Sequence, residues 1–321
     1  MKNYSKANAA PWGGRHSGKG LYLHEKVQLV DLLDPKIETQ GKTIALLGYA
    51  CDAGVARNQG RPGADLGPEA VRKMLGRMPN HLEPEVSFWD TGDVRCPDGN
   101  MESTQHDLRD AINMLLKRGI LPVVMGGGHD VAYGHFKGIA EYKGPQTRIG
   151  IINFDAHFDL RSNEYGNNSG TPFFQIAEEL KQQGRSMDYL CLGIRADGND
   201  AALYRTAESL GVHFIEREDF SIQEVTTVQM GLLGFMDGVD GVYVTIDLDG
   251  FSSAYAPGVS SPSPMGFSPD IVWEALKIII DSGKLYSLDV AELNPNFDID
   301  GHTARLAASL LHGIIHRWAL L

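Results

Sequence analysis

Three residues of metal-binding type alternate in the stretch "GIINFDAHFDLR", residues 150–161: Asp155, His157 and Asp159. They follow a short apolar run rich in β-branched residues, which is typical of a buried strand. In an extended strand, residues two apart project to the same side, and beyond the strand end the backbone can turn successive pairs toward one cavity. The pattern predicts ligands for a divalent cation at the end of a strand.

Polar residues follow three other apolar runs in the same way. His129 lies in "GGGHD", Asp247 and Asp249 in "DLDGF", and Glu292 in "DVAELNP". In open parallel sheets ligands bind outside the carboxyl ends of the strands. We therefore expect these residues to share one cleft with the first three.

Apart from Glu292, these are six candidate ligands, four carboxylates and two imidazoles: His129, Asp155, His157, Asp159, Asp247 and Asp249. They exceed what one tetrahedral zinc ion uses and suit a pair of harder divalent cations, with manganese the natural candidate. Two such ions can share a water molecule and lower its pKa enough to supply hydroxide as a nucleophile near neutral pH. Without cations, four clustered carboxylates would repel one another.

Each motif taken alone has another interpretation. "GGGHD" is also compatible with a tight turn before a helix capped by Asp130, or with a nucleotide-binding loop, although its glycines are contiguous rather than spaced as GxGxxG. "DLDGF" is compatible with a solvated strand end, and an aspartate in "DAHFD" with a helix cap. The convergence of four motifs favours the metal site.

Strand-like and helix-like segments alternate along the chain, which is typical of βαβ units. The prediction is a single-domain, three-layer α/β/α fold with an eight-stranded, mostly parallel sheet, covering residues 1–321 with residues 1–40 as an N-terminal extension packed on it. One helix is expected to begin with Ser268 as N-cap and Pro269 at its first position, and to stop at Gly283. The strands are expected at 42–50, 86–92, 120–127, 148–155, 188–194, 212–216, 242–249 and 284–292.

The composition is that of a soluble globular protein. Of the 321 residues, 42% are hydrophobic and 22% charged, and the net charge of -12 argues against nucleic-acid or membrane partners. Cys51, Cys96 and Cys191 lie far apart and form no CxxC pair. With no signal-peptide pattern or membrane span in the sequence, we expect a cytoplasmic protein with a small-molecule substrate.

The motifs "GGGHD", "NFDAHFDLR", "TIDLDGF" and "DVAELNP" together closely resemble the superfamily of arginases, agmatinases and formimidoylglutamases, hydrolases with two Mn²⁺ ions per subunit. The resemblance implies that Glu292 holds the amidine or guanidine nitrogens of the substrate. It also implies that Asp159 bonds the metal-bridging hydroxide and passes its proton toward the leaving nitrogen. Family members usually form homo-oligomers, as trimers or hexamers. The implied metal ligands are His129, Asp155, His157, Asp159, Asp247 and Asp249.

Within that superfamily, "PWGGR", "RNQGRPGADLGPEAVR" and "NSGTPFFQIA" resemble the formimidoylglutamase branch, which hydrolyses N-formimidoyl-L-glutamate to L-glutamate and formamide in histidine degradation. Arg161 occupies the place where arginases have a carboxylate-binding asparagine, and a guanidinium suits a dicarboxylate better than a cation such as agmatine. Arg195 is a second candidate for a substrate carboxylate. Asn58 and Ser169 are further candidates for substrate binding.

One departure from the superfamily concerns proton transfer. Arginases and agmatinases carry a histidine in the loop around "NNSGTPFF", whereas residues 165–175 contain none. This favours a formimidoyl substrate. Two alternatives stay open, an agmatinase or guanidino-acid ureohydrolase that releases urea, and a catalytically impaired metal-binding homologue. Six ligands argue against the single-zinc, histone-deacetylase-like relatives.

Overall fold

The computed structural model of the protein describes residues 1–39 and 41–321. Its strands are β1 (Tyr4–Ser5), β2 (Gln28–Leu29), β3 (Thr43–Ala50), β4 (Ser87–Arg95), β5 (Leu121–Met125), β6 (Ile149–Phe154), β7 (Asp188–Ile194), β8 (His213–Glu216), β9 (Gly241–Asp247) and β10 (Leu285–Ala291). Its α-helices are α1 (Leu23–Lys26), α2 (Ala53–Arg57), α3 (Gly67–Leu75), α4 (Met101–Lys117), α5 (Val131–Lys143), α6 (Pro172–Gln182), α7 (Ala201–Ser209), α8 (Val225–Asp237), α9 (Pro269–Asp281) and α10 (His302–Ala319).

All strands join one sheet in the order β1-β4-β3-β5-β10-β9-β6-β7-β8, and β2 also pairs with β4. Only β1 runs antiparallel to its neighbour among the described pairs. The α/β fold with a mostly parallel sheet is thus confirmed. The eight expected strands all form, and the N-terminal segment adds the two-residue strands β1 and β2.

Alternate residues of the central strands pack into two separate cores, one on each face of the sheet. Ile44 and Leu46 of β3 belong to one core, while Ala45 and Leu47 belong to the other. Because helices cover both faces, the strands are apolar on both sides, as parallel sheets require. This explains why the strands read as continuous apolar runs.

Helix α9 begins and ends close to where its sequence signals put it. Ser268 is the N-cap, although its side chain makes no capping hydrogen bond, and Pro269 is the first helical residue. The helix ends at Asp281, and Gly283 adopts a φ of +69°, a left-handed conformation that favours glycine.

The N-terminal segment lies against the edge of the sheet near β4. Trp12 donates from Nε1 to Asp90 at 2.7 Å, and its ring meets Phe88 edge-on. The division of the chain into one domain with an extension over residues 1–40 stays a prediction, and Gln40 itself lies outside the described residues.

The topology brings together the four strands that precede the polar motifs. Strands β5, β10, β9 and β6 are consecutive neighbours at the centre of the sheet and are mutually parallel. Their carboxyl ends therefore lie side by side at one edge. Across the described part of the chain, none of the helices has the length and apolar character needed to span a bilayer.

Candidate metal centre and active site

The six candidate ligands lie at this edge in two clusters that share one residue. The first contains His129, Asp155, Asp159 and Asp247, and the second contains Asp155, His157 and Asp249. Within each cluster the ligand atoms lie within 4.8 Å of one another.

Asp155 connects the two clusters through its two carboxylate oxygens. Its Oδ2 lies 3.2 Å from His129 Nδ1, and its Oδ1 lies 3.4 Å from His157 Nδ1. His129 Nδ1 is also 2.8 Å from Asp159 and 3.0 Å from Asp247, and His157 Nδ1 is 3.3 Å from Asp249. One carboxylate can thus bridge two cations, each with its own imidazole.

The side chain of His129 fits a cation rather than a hydrogen-bond partner. Its Nε2 lies 3.0 Å from the Thr245 hydroxyl, which donates its own hydrogen to Asp289 at 2.6 Å. Nε2 must therefore carry the ring hydrogen, which leaves Nδ1 as the atom available to a metal ion. Nδ1 is buried and has no hydrogen-bond partner among the described residues, although three carboxylates surround it. Asp249 Oδ1 is likewise buried without a hydrogen-bond partner among these residues.

Asp289 supports this arrangement from beneath the site. It is fully buried and also accepts hydrogen bonds from Tyr243, at 2.5 Å, and from His135 Nδ1, at 2.6 Å. With Thr245 these bonds hold Asp289 in one orientation. A network of this kind fixes the ring plane of a metal ligand.

Electrostatics within the protein favour a positive charge in the cage. Burial opposes the imidazolium form of His129, yet the carboxylates, Asp247 foremost, raise the pKa of the ring well above its usual value. Burial and the charge of Asp249 raise the pKa of Asp247 well above the range for a carboxyl group. Burial likewise raises the pKa of Glu292 to about 8. A bound cation would relieve the repulsion among these carboxylates and take the place of a proton on His129.

The glycines of "GGGHD" allow the backbone to pack closely behind His129. A Cβ atom on Gly127 would lie 1.9 Å from the carbonyl oxygen of Cys51, and one on Gly128 would lie 2.7 Å from Asp130. Asp130 precedes α5, but its side chain caps nothing and instead accepts a hydrogen bond from Tyr49 at 2.6 Å. The tight packing of this loop explains its contiguous glycines.

A cavity of about 350 Å³ opens above the two clusters. Three non-glycine residues in its wall, Gln59, Asp159 and Glu292, have positive φ angles of 62°, 48° and 67°. Such conformations cost about 1–3 kcal/mol each and concentrate at functional sites. Glu292 Oε1 accepts the backbone N–H of His129 at 2.8 Å, which ties the glutamate to the metal cage.

Four of the five predicted substrate-binding residues line this cavity, namely Asn58, Arg161, Ser169 and Glu292. Asn58 donates to the Ser169 hydroxyl at 3.2 Å. Arg195 is absent from the wall, and its Nη2 lies 2.6 Å from Asp197. The functions of all five stay predictions.

The cavity wall also contains polar residues that the sequence analysis did not single out: Gln59, Arg61, Asn199, Ser260 and Ser261. The first two belong to "RNQGRPGADLGPEAVR", so that motif could have indicated them. Ser260 and Ser261 lie in the loop after β9, where no sequence pattern marks them.

Comparison with known proteins agrees with this geometry. The sequence profile described as "Arginase family" matches residues 42–316. A formimidoylglutamase of Geobacillus thermodenitrificans is 42% identical over 318 residues, which cover 98% of this chain and 97% of that protein.

Two solved structures share the fold. A formimidoylglutamase from Bacillus subtilis superposes with a TM-score of 0.84 at 23% identity, covering 96% of this chain and 95% of that one. A formiminoglutamase from Trypanosoma cruzi, solved with Mn²⁺, superposes with a TM-score of 0.75 at 24% identity, covering 90% of this chain and 97% of that one. The family profile matches most of the chain, and the sequence identity to the Geobacillus protein extends over nearly its full length. This chain therefore belongs to the arginase family.

Proposed function

We propose that this protein hydrolyses N-formimidoyl-L-glutamate to L-glutamate and formamide, as a step of histidine degradation. The observation that carries the proposal is the pair of ligand clusters joined by Asp155, with Glu292 and Arg161 in the wall of the same cavity. The full-length relative from Geobacillus bears the name of this activity.

The cofactor in this proposal is a pair of Mn²⁺ ions. His129, Asp159 and Asp247 would hold one ion and His157 and Asp249 the other, and Asp155 belongs to both groups of ligands. When bound, the ions would supply an activated water molecule for attack on the formimidoyl carbon. The donor set of carboxylates and imidazoles is one that manganese accepts, and Mn²⁺ is present in the Trypanosoma structure.

Glu292 would orient the amidine group. Its Oε1 is occupied by the N–H of His129, and its Oε2 accepts no hydrogen bond from the described residues, although Glu292 lines the cavity. That oxygen is available to an amidine N–H donor. A carboxylate here would also stabilise the positive charge of the amidinium form.

Asp159 would carry the proton. Its carboxylate lies 2.8 Å from His129 in the cage and also faces the cavity. As the water oxygen bonds to the formimidoyl carbon, Asp159 would accept the proton that is released. It would deliver that proton to the glutamate nitrogen as the C–N bond breaks. The second hydrogen of the water would leave the oxygen as the C=O bond of formamide forms, and with the amidinium form as substrate the amine departs as its ammonium ion. This route requires no histidine in residues 165–175.

Arg161 would bind one of the two substrate carboxylates. Its side chain forms no ion pair with the described residues, and it reaches across Gly170 toward Asn58. A guanidinium can hold a carboxylate through two parallel hydrogen bonds. Asn58 and Ser169 would complete this part of the site.

The setting of the enzyme is part of the proposal. Cys51, Cys96 and Cys191 are all free, as in a reducing cytoplasm. Assembly into a homo-oligomer follows from the family resemblance, and α8 exposes the apolar side chains of Met230 and Leu233.

Product identification tests the function. Manganese-loaded protein is incubated with N-formimidoyl-L-glutamate, agmatine or guanidino acids, and formamide and urea are quantified. We expect formamide from the first substrate only, and none from an Asp155→Asn control. Release of urea without formamide would favour the ureohydrolase alternative, and bound metal without any product would favour an impaired homologue.

A further inference from the structure

Two arginines close to the cavity are already neutralised by acidic partners. Arg57 Nη1 lies 2.6 Å from Glu102, and Arg195 Nη2 lies 2.6 Å from Asp197. Neither belongs to the cavity wall. Each of these guanidinium groups has a protein carboxylate where a substrate carboxylate would bind.

Two other arginines, Arg61 and Arg161, do line the cavity, and neither forms a salt bridge with any residue that the structure describes. Cationic groups are rarely left unpaired in a partly enclosed cavity, because removal from water is costly without a counter-charge. The pair therefore indicates a ligand with two negative groups.

The guanidinium of Arg61 is held in place by neutral groups, so none of these contacts supplies a counter-charge. Its Nε donates to the carbonyl of Ser260 at 2.9 Å, its Nη2 donates to that of Val259 at 2.5 Å, and its Cζ lies 3.8 Å from the centre of the Phe297 ring. An arginine has five N–H donors, so three remain for a ligand. The group is thus oriented in advance for a carboxylate.

The loop that carries Arg61 is tied to the strand end that carries Glu292. Asn294, two residues beyond Glu292, donates to the carbonyls of Arg61 and Pro62 at 2.9 and 3.1 Å. Gly63 permits this contact, since a Cβ there would lie 2.5 Å from the Asn294 side chain. The position of Arg61 relative to the amidine-binding carboxylate is therefore defined.

Arg161 belongs to a different segment, between β6 and α6, and this segment approaches the loop that carries Arg61 at Asn58. A Cβ on Gly170 would lie 3.0 Å from Arg161 Cδ and 3.2 Å from Asn58 Nδ2, so the arginine and the asparagine are neighbours. Asn58 precedes Arg61 by three residues, a span of about 10 Å at full extension. Arg61 and the Asn58 neighbour of Arg161 are thus close in the chain, and all three residues line the same cavity.

We propose that Arg61 binds the second carboxylate of the substrate, while Arg161 binds the first, so that the site selects dicarboxylates. This inference rests on the proposed function. The inference gives Arg61 the role of binding a substrate carboxylate, for which Arg195 was a candidate from the sequence. A monocarboxylate would leave one of the two guanidiniums without its partner, and this loss is the basis of the selection.

The test compares three substrates: N-formimidoyl-L-glutamate, N-formimidoyl-L-alanine, which lacks the side-chain carboxylate, and 4-(formimidoylamino)butanoate, which lacks the α-carboxylate. For Arg61→Met we expect kcat/KM for the dicarboxylate to fall by about 10- to 100-fold, mainly through KM. For Arg61→Met, kcat/KM should also fall for the monocarboxylate that keeps the carboxylate bound by Arg61, and it should be unchanged for the monocarboxylate that lacks it. Equal losses on all three substrates would overturn the inference and indicate a structural role.

Two further variants separate charge from loop structure. Arg61→Lys keeps the charge and should recover part of the selectivity. Arg217→Met is the matched control, because Arg217 also donates from Nε to loop carbonyls, those of Met265 and Gly266, yet lies outside the cavity wall. The Arg217→Met variant should prefer the dicarboxylate over the two monocarboxylates as strongly as the wild type does.

Calorimetric titration with L-glutamate, the proposed product, distinguishes failure of this inference from failure of the proposed function. If no substrate yields formamide but glutamate binds and Arg61→Met weakens that binding, the function fails and the carboxylate site stands. If formamide is released but neither selectivity nor glutamate affinity depends on Arg61, only the inference fails.

Discussion

The imidazole of His129 donates from Nε2 to the hydroxyl of Thr245, 3.0 Å away. Because Thr245 in turn donates to the buried carboxylate of Asp289, this bond determines the ring tautomer and turns Nδ1 toward the carboxylate cage. The hydroxyl thus controls the atom that a metal ion would bind.

Replacing Thr245 with valine is expected to weaken Mn²⁺ binding by about 10- to 100-fold, as for other residues that orient metal ligands. The dissociation constant is measured by equilibrium dialysis with atomic emission analysis. Thr245→Ser keeps the hydroxyl and should bind manganese nearly as the wild type does. An unchanged dissociation constant in the valine variant would contradict this role.

Asp155 belongs to both ligand clusters, whereas Asp249 belongs to only one. Asp155→Asn should therefore lose both ions, because the amide brings neither the charge nor the second anionic oxygen. Asp249→Asn should lose only the ion beside His157. Metal content per chain after gel filtration separates these cases, and equal stoichiometry in the two variants would show that Asp155 is not shared.

Arg161→Asn is expected to raise KM for N-formimidoyl-L-glutamate by about 10- to 100-fold, since a charge-assisted carboxylate contact is lost. Metal content should stay at the wild-type level, because Arg161 is in neither ligand cluster. Steady-state kinetics with parallel metal analysis provides the measurement. Loss of metal from this variant would mean that Arg161 supports the cage instead.

A histidine far from the active site predicts sensitivity to acid. His316 accepts the backbone N–H of His81 at Nε2 and donates from Nδ1 to the carbonyl of His312, so its ring is neutral. Burial, reinforced by the two neighbouring histidines, lowers its pKa from 6.5 to about 4. The folded state thus binds its proton less readily than the unfolded chain, and the stability present above pH 6.5 is lost as the pH falls toward 4.

Since His316 is only partly buried, the expected loss in the free energy of unfolding is about 1–2 kcal/mol after allowance for solvent screening. Urea unfolding of the wild type and His316→Gln at pH 7.5 and pH 4.5 provides the comparison, because glutamine can accept the same N–H without titrating. The variant should lose less stability over this interval. Parallel losses would exclude His316 as a source of the acid sensitivity.

The strands and the candidate ligands were predictable because both depend on local chain geometry. Apolar runs of strand length mark the elements of a parallel sheet, and the alternation in "DAHFD" follows from the two-residue period of an extended backbone. The rule that sites lie at the carboxyl ends of parallel strands then brought His129, Asp247 and Glu292 into the same cleft. The N-terminal strands β1 and β2 escaped prediction because two residues are too short for any period.

The partners of individual side chains were decided only by the tertiary structure. Arg161 and Arg195 look alike as arginines that follow strands, yet Arg195 meets Asp197, whereas Arg161 lines the cavity and forms no ion pair with the residues that the structure describes. The support of His129, after β5, by Thr245 of β9 depends on β10 lying between these two strands, and β5 and β10 are far apart in the chain, so no local pattern specifies their adjacency. The sequence by itself therefore determined which residue types reach this edge of the sheet, while loop packing and strand order determined which of them remain available to metal and substrate.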